Sequence, residues 1–229
     1  MCSVPYLSAV GSLMYLAVGT CPDISFAVGA LSRFNAAPGW AHWKQVQHVF
    51  KYLAVMKDLM LCYGPRQDST CLQIYSDVDY AGDVDSAHST SGHAMFIGKC
   101  LVNWSSKQQP VVAKSTTEAE YIAANEADSD GVWFQNFVSE LGYPPSGPTL
   151  LWLDNQSAIH VGKNLEHHSH MCHLLPKYHW LQEQVEDKVF SLDYVPTSSM
   201  WANSLTKPLD TTAHQRVCLL LGLISQPSL

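Results

Sequence analysis

Charge is scarce in this sequence: only 14% of its residues are Asp, Glu, Lys or Arg, against 47% that are hydrophobic. A chain so apolar can bury enough surface to offset its ordering entropy, which excludes an intrinsically disordered segment. Basic charge is scarcest, with 13 Lys and Arg facing 20 Asp and Glu for a formal net charge of -7. Taken alone, that balance speaks against binding a polyanion unless the basic residues share one face. The seven cysteines (Cys2, Cys21, Cys62, Cys71, Cys100, Cys172, Cys218) are odd in number and form no CxxC pair. Neither a disulfide framework nor a zinc ribbon is indicated, and a reducing, intracellular compartment fits. From Met1 to Ser32 the one charged side chain is Asp23. The apolar run YLSAVGSLMYLAVG is nonetheless shorter than the ~20 residues of a spanning helix, and no Lys or Arg precedes it. It reads as a buried helix, with no membrane partner and no secretory signal.

Pro5 and Pro22 each suit a first helical turn, where a missing N–H costs nothing, and each leads an apolar stretch rich in Ala and Leu. A third helix, from about Trp40 to Met56, sets Trp43, Val46, Val49, Phe50 and Leu53 on one face and Lys44, Gln45, His48 and Lys51 on the other. The polar break GPRQDST at 64–70 marks a boundary, beyond which the period becomes that of short strands. Strands are expected over Leu72 to Ser76, His93 to Gly98, Leu101 to Ser105, Leu150 to Asp154 and Val189 to Val195. A three-strand meander followed by alternating helix and strand describes an α/β fold, a mixed sheet with helices packed on it.

The segment CLQIYSDVDYAGD reads as an apolar strand ending in Asp77, with Asp79, Asp83 and Asp85 in the turn that follows. Any one of these acids is explained by turn chemistry, since Asp hydrogen-bonds its local backbone. A calcium loop fits Asp77, Asp79 and Gly82 but fails at Ala81 and at His88, where a bidentate Glu is required. In KSTTEAEYIAANEA, Ser115 and Glu118 have the spacing of a capping box. Glu120 has no such job and shares a helical face with Ala123, Ala124 and Ala127, so a carboxylate is turned toward the sheet, where it requires a partner. The strand LLWLD ends in Asp154 just before a new helix, a position that an N-cap would also explain. Together, Asp77, Glu120 and Asp154 suggest acids gathered at one sheet edge, a donor set for hard divalent cations that activate water in phosphodiester cleavage.

The segments YSDVDYAGD, STSGH, NWSSKQQ, KSTTEAEYIAA, LWLDNQSAI and YVPT...LTKPL follow one another in an order and spacing that resembles the ribonuclease H region of copia-type retrotransposon polyproteins. PYLSAVGSLMYLAVGTCPDISFAVGALSRF upstream resembles the end of the same family's reverse transcriptase. The resemblance implies a ribonuclease H-like mixed five-stranded sheet flanked by helices and preceded by a small all-α segment. The division expected is a helical reverse transcriptase remnant over 1–66, a ribonuclease H domain over 70–209 and a tail with helical potential over 210–229. It further implies an enzyme that cuts the RNA strand of RNA/DNA hybrids with two Mg²⁺ ions, or Mn²⁺, in partnership with the polyprotein's reverse transcriptase domain. Such a protein would be intracellular, within a virus-like particle where the element is active.

By position within those motifs, Asp77, Glu120 and Asp154 match three of the family's four metal-binding acids, with Glu118 the alternative to Glu120. The fourth acid precedes the LTKPL-like ending, where this chain has WANSLTKPL and so Asn203. Asn keeps an oxygen but removes a charge, which weakens a second metal and lowers turnover. Asp210, seven residues later, is the candidate substitute, though nothing in the sequence shows that it reaches the site. The alternative reading is therefore a weakened or inactive module that binds nucleic acid or a polymerase, or a relic fragment. A second departure gathers His167, His168, His170, Cys172 and His173, spaced too tightly for a defined zinc site and read as an exposed loop. Candidate backbone contacts to a hybrid are Lys107, Lys114, Lys163, Lys177 and Lys207, with Trp104 near a sugar, set against ordinary surface lysines and a core tryptophan. No polymerase-type pair of aspartates at a strand turn precedes residue 70, so no DNA synthesis is expected of this chain, which reads as a C-terminal piece of the polyprotein.

Overall fold

The structure, a computed structural model, describes residues 4–64, 71–163 and 175–225, without the side chains of 175–178. The helical segment comprises α1 (Tyr6–Gly19), α2 (Ser25–Ser32) and α3 (Trp40–Val55), followed by a short strand β1 (Leu59–Leu61). Pro5 stands immediately before α1, and Pro22 opens a 3-10 turn that runs into α2. Tyr6, Val10, Leu13 and Ala17 form one stripe of α1, spaced by three and four residues, and cluster with Val28, Leu31, Val46 and Val49. The buried stripe of α3 keeps Trp43, Val46, Val49 and Leu53 of the expected face but exchanges Phe50 for Tyr52. Tyr52 is drawn inward by donating to Asp23 Oδ2 at 2.6 Å, and Phe50 is left 40% exposed. Among the described residues no helix is long and apolar enough to cross a membrane.

Next come β2 (Leu72–Asp79), β3 (Thr90–Ile97), β4 (Cys100–Gln108), α4 (Thr116–Glu140), β5 (Thr149–Leu153), α5 (Gln156–Lys163), α6 (Leu175–Glu186) and β6 (Phe190–Tyr194). The five strands lie in the order β4-β3-β2-β5-β6, antiparallel from β4 to β2 and parallel from β2 to β6. This is the mixed ribonuclease H-like sheet that the motifs imply. One expectation needs correction: β2 does not end at Asp77 but continues to Asp79, with Asp77 paired to Gly92 of β3. The ladder carries on through polar residues because Ser76, Asp77 and Ser91 are covered and buried. A strand boundary drawn at the last apolar residue therefore falls short.

On one face, α4 packs Tyr121, Ile122 and Ala124 against Ile74, Leu151, Leu153 and Leu192. A Cβ at Gly131 would lie 2.7 Å from Ile74 and 2.8 Å from Phe190, so even alanine there would push the helix off the sheet. On the other face Tyr75 stacks on Trp201 at 4.6 Å between centroids, and Met200, Leu205, Val217 and Leu221 complete the layer. Those last residues come from the C-terminal part, which continues through α7 (Thr211–Leu220) to β7 (Leu223–Ser225). β7 pairs antiparallel with β1, so the C-terminal part joins the end of the helical segment. Most of the polar break at 64–70 and all of 167–173 lie outside the described residues.

Candidate metal centre

Asp77 on β2, Glu120 on the first turns of α4 and Asp154 just after β5 each place a carboxylate oxygen within 4.8 Å of the other two. The two parallel neighbours β2 and β5 deliver their aspartates side by side, and α4 crosses that end of the sheet with Glu120 turned inward. The competing structural roles for these acids are held by other residues. Ser115 caps α4 by accepting from Glu118 N–H at 3.1 Å, and Glu118 Oε2 accepts from Lys114 N–H at 2.8 Å, so Glu118 is a capping residue. Asn155, not Asp154, caps α5, accepting from Ala158 N–H at 3.1 Å.

The remaining acids of the motif separate cleanly. Asp83 accepts from Asp85 N–H, Ser86 and Gln108 and pairs with Arg33 at 3.2 Å, bonds that hold its carboxyl below the usual range. It is a turn residue, as the local chemistry predicts. Asp210 caps α7 by accepting from Ala213 N–H at 2.9 Å and is absent from the acid cluster.

The electrostatics of the cluster are those of a site short of positive charge. Asp77 is 1% exposed, and burial raises its pKa against the pull of Lys207 and Thr206. Glu120 is pushed up to about 9, first by burial and then by Asp154 and Asp77. Its Oε2 is buried with no hydrogen-bond partner among the described residues. Three convergent carboxylates with an orphaned oxygen form a hard-oxygen donor set that fits a divalent cation.

Sequence reasoning missed what lies over Asp77. Thr206 donates its hydroxyl to Asp77 Oδ2, and Lys207 Nζ stands 3.3 Å from the same oxygen. This approach depends on Gly92, the cross-strand partner of Asp77: a Cβ there would lie 2.7 Å from Thr206 Cγ2 and 2.8 Å from Leu205 Cβ. The glycine in STSGH was a visible signal, but its partner in LTKPL is more than a hundred residues away. Asn203 donates Nδ2–H to Thr197 O at 2.8 Å, while Thr197 Oγ1 donates to Asp154 Oδ2 at 2.7 Å, which ties position 203 to the cluster through one residue. Asn203 Oδ1 is buried and has no partner among the described residues. Lys107, Lys114 and Lys163 are exposed. Trp104 takes the core alternative and not the sugar contact: its indole N–H donates to Ala17 O at 2.8 Å and its ring packs on the sheet, so it joins α1 to β4.

No family profile matches the sequence. The chain is, however, 39% identical over 225 residues to the retrovirus-related Pol polyprotein from transposon TNT 1-94 of Nicotiana tabacum, a span of 98% of this chain and 17% of that protein. With the polyprotein from transposon RE2 of Arabidopsis thaliana it shares 36% identity over 222 residues, 97% of this chain and 15% of that protein. The chain belongs to the copia-type retrotransposon Pol family. It spans only 15–17% of the length of these Pol polyproteins. Secreted RxLR effector protein 161 of Plasmopara viticola is 46% identical to this Pol-family chain over 133 residues, 58% of the chain and 93% of that protein. Among solved structures, LC11-RNase H1 in complex with RNA/DNA hybrid aligns with 59% of this chain and 93% of its own at 16% identity, TM-score 0.46. The foamy viral protease-reverse transcriptase in complex with double-stranded DNA aligns with 84% of this chain and 32% of its own at 10% identity, TM-score 0.46.

Proposed function

We propose that this Pol-family chain is a metal-dependent endoribonuclease that hydrolyses the RNA strand of RNA/DNA hybrids, working beside the reverse transcriptase domain of its polyprotein. The observation that carries the reading is the convergence of Asp77, Glu120 and Asp154 within 4.8 Å, with each structural alternative taken by a neighbouring residue. The ribonuclease H-like sheet in a Pol-family chain supports a nuclease-type module more broadly.

In this reading Asp77, Glu120 and Asp154 hold Mg²⁺, as two ions, or Mn²⁺, with Asn203 supplying a neutral oxygen. When bound, such ions activate water and neutralise charge on the phosphodiester. The chain's own residues do the positioning. Thr197 orients Asp154 by its hydrogen bond, Thr206 orients Asp77, and Gly92 lets the Leu205–Lys207 segment descend on the sheet. Exposed Lys107 and Lys114 offer point charges for the hybrid's backbone, a contact of shape and charge without a base code.

A second reading, a weakened module that retains binding, is favoured by Asn203, whose amide is committed to Thr197 and brings no charge. One assay separates the two: cleavage of a labelled RNA/DNA hybrid with Mg²⁺ and then Mn²⁺, beside Asp77→Asn. Cleavage by the native chain and silence in the variant support the nuclease. A folded chain that binds the hybrid without cutting it, and gains cutting in Asn203→Asp, supports the weakened module.

A further inference from the structure

Lys207 is the one cation that touches the acid cluster among the described residues. Its Nζ lies 3.3 Å from Asp77 Oδ2, its side chain is 30% exposed, and its charge also acts on Asp79 and Glu120. Its backbone is held close, because Gly92 admits the segment to the sheet and Lys207 N–H reaches Asn203 O at 3.4 Å. The ammonium nevertheless has somewhere to go. A cavity of about 390 Å³ between the helical segment and the C-terminal part is lined by Lys207 together with Asp23, His48, Tyr52 and His214. Asp23 offers a second carboxylate there, and the four-carbon lysine stem is flexible enough to swing.

We propose that Lys207 is a resident counter-cation: it occupies Asp77 in the absence of metal and must give up that carboxylate for a divalent ion to bind. This inference rests on reading Asp77, Glu120 and Asp154 as a metal centre. The ion pair joins a buried carboxylate to a part-exposed ammonium, so removing Lys207 leaves Asp77 buried and unpaired and lowers stability in the absence of metal. The pair's other consequence falls on whatever else needs the same oxygen. The ammonium removes one more unit of negative charge from a site that already has Asn203 in place of an acid, so the native chain binds divalent ions more weakly than its carboxylates alone would.

The test uses the full chain as native protein, Lys207→Met, Lys207→Arg and Asp77→Asn, with Mn²⁺ affinity read by calorimetry and thermal unfolding read in EDTA. Lys207→Met is expected to bind Mn²⁺ about tenfold more tightly and to melt at a lower temperature in EDTA, while Lys207→Arg follows the native chain. A merely structural lysine would lose metal affinity together with stability. A second measurement needs no variant: acetylation of Lys207, followed by mass spectrometry, should speed up when Mn²⁺ is added and be indifferent to Mn²⁺ in Asp77→Asn. Unchanged or weaker Mn²⁺ binding by a folded Lys207→Met, or labelling that does not respond to Mn²⁺ in a native chain that binds it, overturns the inference and leaves the metal centre standing. If neither the native chain nor Lys207→Met binds Mn²⁺, and both are folded by circular dichroism, the metal centre itself fails and takes the Lys207 role with it.

Discussion

Of the three buried carboxylates on α4, Glu118 caps the helix, while Glu120 and Asp128 lie about two turns apart and differ in company. Glu120 faces Asp77 and Asp154 at one end of the interior strands β2 and β5. Asp128 is fully buried, its two oxygens have no close hydrogen-bond partner among the described residues, and the Trp180 indole gives only partial relief. Burial pushes both upward, Glu120 to about 9 and Asp128 to about 7. Desolvation alone therefore does not mark a functional acid. Other carboxylates within reach of a shared cation do, because mutual repulsion is useful only where an ion can collect it.

The largest expected effect breaks the comparison at its functional end. Glu120→Gln should lower cleavage of a hybrid by about 10³-fold or more, whereas Asp128→Asn should leave cleavage within about twofold of the native chain. Equal losses in the two variants would mean that α4 geometry, not the acid cluster, governs activity. Metal supplies the same contrast without a substrate: Mn²⁺ should raise the melting temperature of the native chain and of Asp128→Asn but not of Glu120→Gln.

Stability gives the next effect, on the Asp128 side. Its folded pKa lies above the usual carboxylate value, so the folded chain holds a proton that the unfolded chain releases. The group's contribution is complete at low pH and is lost as pH rises from about 4 through about 7. Asp128→Asn should therefore match the native chain near pH 4 and exceed it by about 2–4 kcal/mol at pH 8 in denaturant unfolding. Parallel curves across that range would show that Asp128 finds a partner that relieves it.

The two acids also show what a sequence can and cannot carry. Glu120 was legible because Ala123, Ala124 and Ala127 share its face and Ser115 with Glu118 accounts for the neighbouring acid. Asp154 was legible as the end of an apolar run, although only the structure shows that Asn155 takes the capping role. Local pattern fixes such residues. Thr206 and Lys207 lay beyond it, since their contact with Asp77 joins segments far apart in the chain and depends on an absent side chain at Gly92. The β1 to β7 pairing was illegible for the same reason, being three residues on each side with no turn to announce it. Strand ends were misjudged where polar residues are covered by a later segment, as at Asp77. Trp104 was placed on the substrate side by its type, but its partner, the Ala17 carbonyl, belongs to a helix whose packing on the sheet no periodicity reveals.

The smallest effect sharpens the rule by adding an acid where company already exists. In Asn203→Asp the N–H that binds Thr197 O is lost, and a carboxylate oxygen meets that carbonyl unless the side chain turns. Without metal the variant should be less stable by about 1 kcal/mol, because it loses a hydrogen bond and gains a negative charge near Asp154. With Mg²⁺ the sign should reverse, since an added carboxylate near the cluster collects a cation that the amide holds poorly. Unfolding curves in EDTA and in Mg²⁺ would then cross. Asp128 belongs to no acid cluster among the described residues, so Asp128→Asn and the native chain should keep the same order of stability in EDTA and in Mg²⁺.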